Sequence, residues 1–196
     1  MHRVNDSPVF VELDRDQLTT LAHPFRLRLL SALRVGGAST ATALAERLDT
    51  NSGKTSYHLR ALAQVGLVVE EPGRGRGRER WWRAAHDVSV WSTSDFDEDP
   101  DARAAADWLV GHAARAYAER IEHWITNRAE WPARWTEAAD MSDLRLRLGP
   151  QGLRQLNDDL LAVIRRYLED QAPSDDDAAV ECTVIVTGFP DPDPPL

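Results

Sequence analysis

The sequence predicts a mainly α chain with small β elements, built in two parts: a helical domain finished by a β-hairpin, and an α+β unit beyond an acidic linker. Three observations carry that prediction. Apolar residues recur at steps of three and four through the first third of the chain, punctuated by Pro24, Gly36-Gly37 and Gly66. The period then becomes extended in Leu67-Val68-Val69-Glu70 and again from Glu79 to Ala84, on either side of an Arg-Gly loop. Charge divides the chain as well: residues 1–90 carry 13 Lys+Arg against 10 Asp+Glu, and residues 91–196 carry 10 against 22.

The bulk properties narrow the class. A length of 196 residues leaves room for two small domains, and 42% hydrophobic with 28% charged residues is ordinary for a globular protein. No apolar run approaches the roughly 20 residues of a membrane span, and the N-terminus has charge and proline where a signal peptide has an apolar core. The single cysteine, Cys182, cannot form an internal bridge, so a reducing cytoplasm is expected. The net charge of −9 argues against a nucleic-acid partner until it is split. The first half is then net positive, with its basic residues concentrated between Lys54 and Arg83. A basic face joined to an acidic companion fits a DNA reader with an effector or partner module.

Taken in order, Met1 to Ser7 is expected to be disordered and Val9 to Leu13 to be a short strand or arm. Asp14 is placed to cap a helix, with Gln17 at the capping-box position. Leu18 and Leu21 carry that helix to His23-Pro24, where the residue before proline avoids the helical region. Pro24 opens the next helix, whose apolar side is Phe25, Leu27, Leu29, Leu30 and Leu33 and whose end is Gly36-Gly37. Thr40 caps a third helix, Ala41 to Leu48, with Leu44 and Leu48 inward.

The fourth helix, residues 52–62, is two-faced. Thr55, Leu59 and Leu62 form a buried rib, while Ser52, Lys54, Ser56, Tyr57 and Arg60 fall on a polar face without an acid. Asn51 or Ser52 can cap its start, and Gly66 stands at the left-handed stop position. Two short helices joined by a tight turn, the second polar outside, make a helix-turn-helix. Hydroxyls and amides on such a face reach base edges in the major groove, and its cations reach phosphates. The hairpin that follows carries Pro72-Gly73-Arg74-Gly75-Arg76-Gly77-Arg78 at its tip, a slim cationic wing able to track phosphates or enter the minor groove. A nucleotide-binding glycine loop would need a helix start directly after it, which Trp81-Trp82 in an Arg-rich strand does not offer.

Four segments in succession carry a resemblance: Leu21-Ala22-His23-Pro24-Phe25-Arg26-Leu27-Arg28-Leu29-Leu30, Ala43-Leu44-Ala45-Glu46-Arg47-Leu48, Thr55-Ser56-Tyr57-His58-Leu59-Arg60-Ala61-Leu62 and Gly66-Leu67-Val68. Together they resemble the winged helix-turn-helix of bacterial ArsR-type transcriptional regulators over residues 14–90. The Ser-Tyr-His-Leu-Arg and Trp-Trp features are similar to actinobacterial members of the group. The resemblance implies a DNA-binding homodimer that represses or otherwise controls transcription from a palindromic operator. It places Ser52, Gly53, Lys54, Ser56, Tyr57 and Arg60 in the groove, and Arg74, Arg76 and Arg78 on a wing spanning 72–80. The paired cysteines that metal-sensing members carry on the third helix are missing here. A second zinc pattern leaves His112 and His123 on one face of a later helix, but the flanking acid positions are Val110 and Thr126. No metal site and no cofactor is therefore expected, with a metal-responsive regulator using His112 and His123 as the alternative. A winged-helix adaptor that does not bind DNA is the other.

Residues 85–100, ending Ser94-Asp95-Phe96-Asp97-Glu98-Asp99-Pro100, read as acidic linker anchored by Trp91, with 91–100 dividing the domains. A long helix, Asp101 to Arg128, follows with Leu109, Ala113, Tyr117, Ile121 and Trp124 as a stripe suited to packing and to dimerisation. Trp131-Pro132 closes it. Asp143 to Leu148 alternates as a half-buried strand, and Gly149-Pro150 starts a helix with Leu153, Leu156, Leu160, Ile164 and Tyr167 or Leu168 inward. Pro173 to Asp177 reads as a loop, Val180 to Thr187 as a second strand and 191–196 as a disordered tail, making 101–190 an α+β dimerisation or effector domain. Four tryptophans between 108 and 135 fill a core or line a pocket for a small-molecule effector. No nucleophile elbow, zinc-protease helix or phosphate loop is present, so no catalytic residue is assigned and no enzyme is expected.

Overall fold

A computed structural model of the chain describes residues 8–72, 79–169 and 179–190. The expected disordered start, the glycine-arginine tip of the hairpin, the loop at 173–177 and the tail at 191–196 lie outside the described residues. The chain forms two compact units, which divide between Ala114 and Arg115.

In the first unit the order is β1 (Phe10–Glu12), α1 (Arg15–Leu21), α2 (Pro24–Gly36), β2 (Ser39–Thr40), α3 (Ala41–Arg47), α4 (Ser52–Gln64), β3 (Val68–Glu70), β4 (Trp81–Ala84), β5 (Val88–Val90) and the start of α5 (Pro100–Asn127). Local chemistry sets the helix ends. Asp14 accepts from the Gln17 amide at 2.8 Å, and Gln17 returns the bond to the Asp14 amide at 3.1 Å, closing the expected capping box. His23 is held extended (φ −128°, ψ 122°) by the proline after it, and its Nδ1 accepts from the Phe25 amide at 3.1 Å. Thr40 caps α3 through the Ala43 amide, and Asn51 caps α4 through the Lys54 amide at 2.8 Å. Gly66 takes φ +74°, a value that costs a residue with a side chain, and so ends α4 and turns the chain into β3.

Leu18, Leu21, Leu29, Leu30, Leu33, Leu44, Leu59, Leu62 and Leu67 are fully buried in one core. Each removes on the order of 1.5–3 kcal/mol of apolar surface from water, which fixes α4 against α1, α2 and α3. Gly36 admits the Arg47 guanidinium where a Cβ would collide with it, and Arg47 donates to the Ala32 carbonyl at 3.3 Å. The hairpin β3–β4 pairs Val69 with Arg83, and β2 adds to its other edge in the order β2-β4-β3. Sequence reading expected the hairpin and missed β2, whose two residues are too short to show a period.

The stretch at 85–100 is not a free linker. β5 pairs in parallel with β1, Phe10 opposite Val88, and Trp91 and Phe96 pack against the core. Asp99 accepts from the Asp101 and Ala102 amides at 3.0 Å, capping α5, and pairs with Arg15; Arg103 pairs with Asp97. Charge that looks like solvated linker from the sequence is thus spent on a cap and two ion pairs. Ala102, Ala105, Ala106 and Leu109 then seat the start of α5 in the core.

The second unit holds the rest of α5, a short 3-10 turn (Arg128–Glu130), α6 (Ala133–Ala138) and α7 (Pro150–Glu169). Its helical expectation holds, with α6 as an unexpected addition. The two strands do not: residues 143–148 and 180–187 have no strand partner, and every sheet among the described residues is made from β1 to β5. A strand exists only through its ladder, and the sequence period cannot supply the neighbour. No helix among the described residues is long and apolar enough to cross a membrane.

Candidate nucleic-acid interface

The site is built on α4. Thr55, His58, Leu59 and Leu62 are buried, and the Thr55 hydroxyl donates to the Asn51 carbonyl at 3.1 Å, tying the rib to the cap. That rotation leaves Ser52, Gly53, Lys54, Tyr57 and Arg60 exposed and Ser56 half-buried. Tyr57 is 66% exposed, an aromatic side chain left on the surface of a helix whose other face is fully packed. The turn from α3 passes through Asp49 at φ 51°, and the Thr50 amide donates to the Ala45 carbonyl at 2.9 Å. α3 and α4 are thereby locked as a pair. No acidic side chain lies on α4, and the positive end of its dipole coincides with Lys54 and the small residues Ser52 and Gly53.

Beneath this face is a layer that sequence reasoning did not single out. The His58 ring lies 4.7 Å from that of His23, 5.1 Å from Phe25 and 5.1 Å from Tyr57. Lys54 Nζ stands 4.7 Å over the Phe25 ring, a cation–π contact that holds the ammonium at the outer surface. Burial, first, and then His23, Arg26 and Lys54 push the His58 imidazole below its ordinary range. Burial followed by Arg26 does the same to His23, whose Nδ1 must stay unprotonated to accept from Phe25. The layer is therefore neutral at neutral pH and carries a cation on top. The signal was available: position 58 stands three after Thr55 and four before Leu62, on the buried rib.

The hairpin stem stands after α4. The ladder extends beyond the strands through the Glu71 amide to the Trp81 carbonyl at 2.8 Å, and Arg80 reaches Glu70 at 3.7 Å. Arg74, Arg76 and Arg78 lie between these paired ends, outside the described residues. Behind the sheet, Arg34 donates to the His86 carbonyl at 3.2 Å and to Ser89 Oγ at 2.8 Å, and Ser89 Oγ bonds His86 Nε2 at 2.8 Å. Burial, then the Arg34 charge, push the His86 imidazole down to about 4, opposed by Asp87. The neutral ring joins β4 and β5 to α2.

His112 stacks on Trp108 with ring centroids 5.1 Å apart, and Asn127 Nδ2 meets His123 Nδ1 at 3.2 Å. No three His, Cys, Asp or Glu side chains converge among the described residues. In the second unit Trp131 contacts both Trp124 and Trp135. An open cleft of about 410 Å³ there is lined by Trp124, Ile125, Arg128, Thr136, Asp140 and Met141 among others.

Comparison with known proteins bears on the same residues. A family model described as helix-turn-helix domain matches residues 21–71. No curated protein matches the chain. Among solved structures, one similar chain is the homodimeric winged helix-turn-helix DNA-binding domain (fragment 1–100) of a possible ArsR-family transcriptional regulator from Mycobacterium bovis. It is 29% identical, covers 51% of this chain and 76% of its own, and has a TM-score of 0.33. A disulfide-formed AbfR is 15% identical, covers 60% of this chain and 82% of its own, and has a TM-score of 0.32. The helix-turn-helix read from the sequence is present, and with it the module of a DNA-binding transcriptional regulator.

Proposed function

We propose that this regulator represses transcription by seating α4 in the major groove of a palindromic operator as a homodimer, with the glycine-arginine tip as a wing on the flanking backbone. One observation carries the reading: α4, the second helix of the helix-turn-helix, has no acidic side chain and leaves Ser52, Lys54, Tyr57 and Arg60 exposed. Ser52, Gly53, Ser56 and Tyr57 supply small donors, acceptors and one aromatic edge for bases, while Lys54 and Arg60 supply phosphate contacts. Arg74, Arg76 and Arg78 add three cations on a loop slim enough for the minor groove. Two-fold symmetry in the operator follows from a two-fold protein.

A small apolar effector would take the cleft beside Trp124, where Trp124, Ile125 and Met141 meet the cation of Arg128 and the acid of Asp140. Selection of bound duplexes from a random pool tests the whole reading. Recovered sites should show inverted half-sites about 10–10.5 base pairs apart or a multiple of that. Recovery of no duplex above background, even at low salt, would instead leave the adaptor reading standing.

A further inference from the structure

The second unit lacks something the first has. The first encloses a core of leucines, yet no described residue beyond Leu109 is buried. Composition does not explain this, since α7 is strongly two-faced: Leu153, Leu156, Leu160, Ile164 and Leu168 share one side and none is buried. Of the nineteen large apolar side chains left exposed among the described residues, fourteen lie between Ile121 and Phe189. Leu144 is 83% exposed and Leu146 61%, although they alternate with Arg145 and Arg147 as a strand with one apolar face would. Residues 180–184 alternate likewise, with Val180, Cys182 and Val184 on one side and Glu181 and Thr183 on the other, before the apolar run Val184-Ile185-Val186.

We infer that a second copy of this chain completes the core of the described part of the second unit, residues 115–169 and 179–190, and that 143–148 and 180–187 become β-strands only in that dimer. This deepens the homodimer reading above and rests on it. Strand number is the first argument. One copy offers two strands, and a two-stranded ribbon is at best marginal in water; two copies offer four, enough for a sheet that two α7 helices can cover. Area is the second. Fourteen such side chains hold roughly 1,000–1,500 Å² of apolar surface per copy, the range of obligate dimers and well above a transient contact. The polar residues agree with this arrangement over part of each segment, since Arg145 and Arg147 alternate opposite the leucines and Glu181 and Thr183 opposite Val180, Cys182 and Val184.

The test uses the full chain without DNA. Sedimentation of the parent protein should give a dimer mass at micromolar concentration. Hydrogen exchange should show slowed amides at 144–148 and 180–187 in that dimer. L146E, in the first strand, and L160E, on α7, should each yield a monomer in which both segments exchange freely, while the amides of the first unit's leucine core on α2 and α4 exchange as slowly as in the parent. A parent that sediments as a monomer overturns the inference, as does a dimer whose two segments exchange freely. Dimers surviving both substitutions overturn it too, because the shared core would then lie elsewhere. Should either variant fail to fold, the parent's mass and exchange pattern decide alone. A dimer that ignores every duplex would sink the DNA-binding reading and leave this one intact; a monomer that binds DNA would overturn this inference and the homodimer reading while DNA binding itself stands.

Discussion

The buried His86 gives a prediction whose size follows from its surroundings. Its ring is 3% exposed, is bonded through Nε2 to Ser89, and lies beside the Arg34 guanidinium, so the folded chain resists protonating it until about pH 4. An unfolded chain protonates the same residue near 6.5. Between those values the unfolded state binds more protons, so stability rises with pH and is lost on acidification. The penalty is absent above 6.5 and grows as pH falls toward 4. At about 1.4 kcal/mol for each tenfold in proton affinity, carrying the chain from pH 7 to 4.5 costs roughly 2–3 kcal/mol through this group. His86→Gln keeps a neutral polar side chain and removes the titration. Urea unfolding followed by tryptophan fluorescence at pH 7.0, 6.0, 5.0 and 4.5 should therefore show the parent losing roughly 2–3 kcal/mol more than the variant. The carboxylates and the other histidines titrate in both proteins and cancel in the difference. Parallel stability curves would refute the assignment of His86 as a ring held neutral by burial and Arg34.

Three further outcomes are expected. Replacing Arg74, Arg76 and Arg78 by Ala should weaken binding to all duplexes alike and reduce the slope of log affinity against log salt by up to about 2.7; an unchanged slope in a titration excludes phosphate contact by the wing. Ser56→Ala or Tyr57→Phe should shift preference among duplex sequences by about 1–3 kcal/mol at the base concerned, and selection profiles identical to the parent's count against these positions as readers. Asn51→Ala removes the bond to the Lys54 amide and should lower stability by about 1 kcal/mol, with Asn51→Gly losing only a few tenths; equal thermal midpoints for parent and Ala variant would show that the cap is not holding α4.

How much could be read beforehand differs by element. The helices of the first unit were legible because their information is local: Asp14 with Gln17, His23 with Pro24, Thr40 and Asn51 each act on an amide within three residues. The exposed face of α4 was legible for a related reason, since a buried rib fixes the rotation of everything else on the helix. β5 was not, because its partner β1 lies far away in sequence and its parallel ladder leaves no turn to recognise. Nor was the role of the acidic stretch, where Asp99 finds Arg15 across the first unit.

The sequence by itself determined the helix-turn-helix, which face of α4 stays exposed and the division of charge, all properties of residues near one another along the chain. Tertiary structure decided what lies under the exposed face of α4, where His58 and Phe25 lie beneath Lys54, and how Arg34 keeps His86 neutral. It also decided that residues 143–148 and 180–187 belong to no sheet among the described residues. The reason is the same in each case: a helix satisfies its backbone within one turn, whereas a strand, a buried charge or an apolar stripe is defined by whatever the fold brings against it.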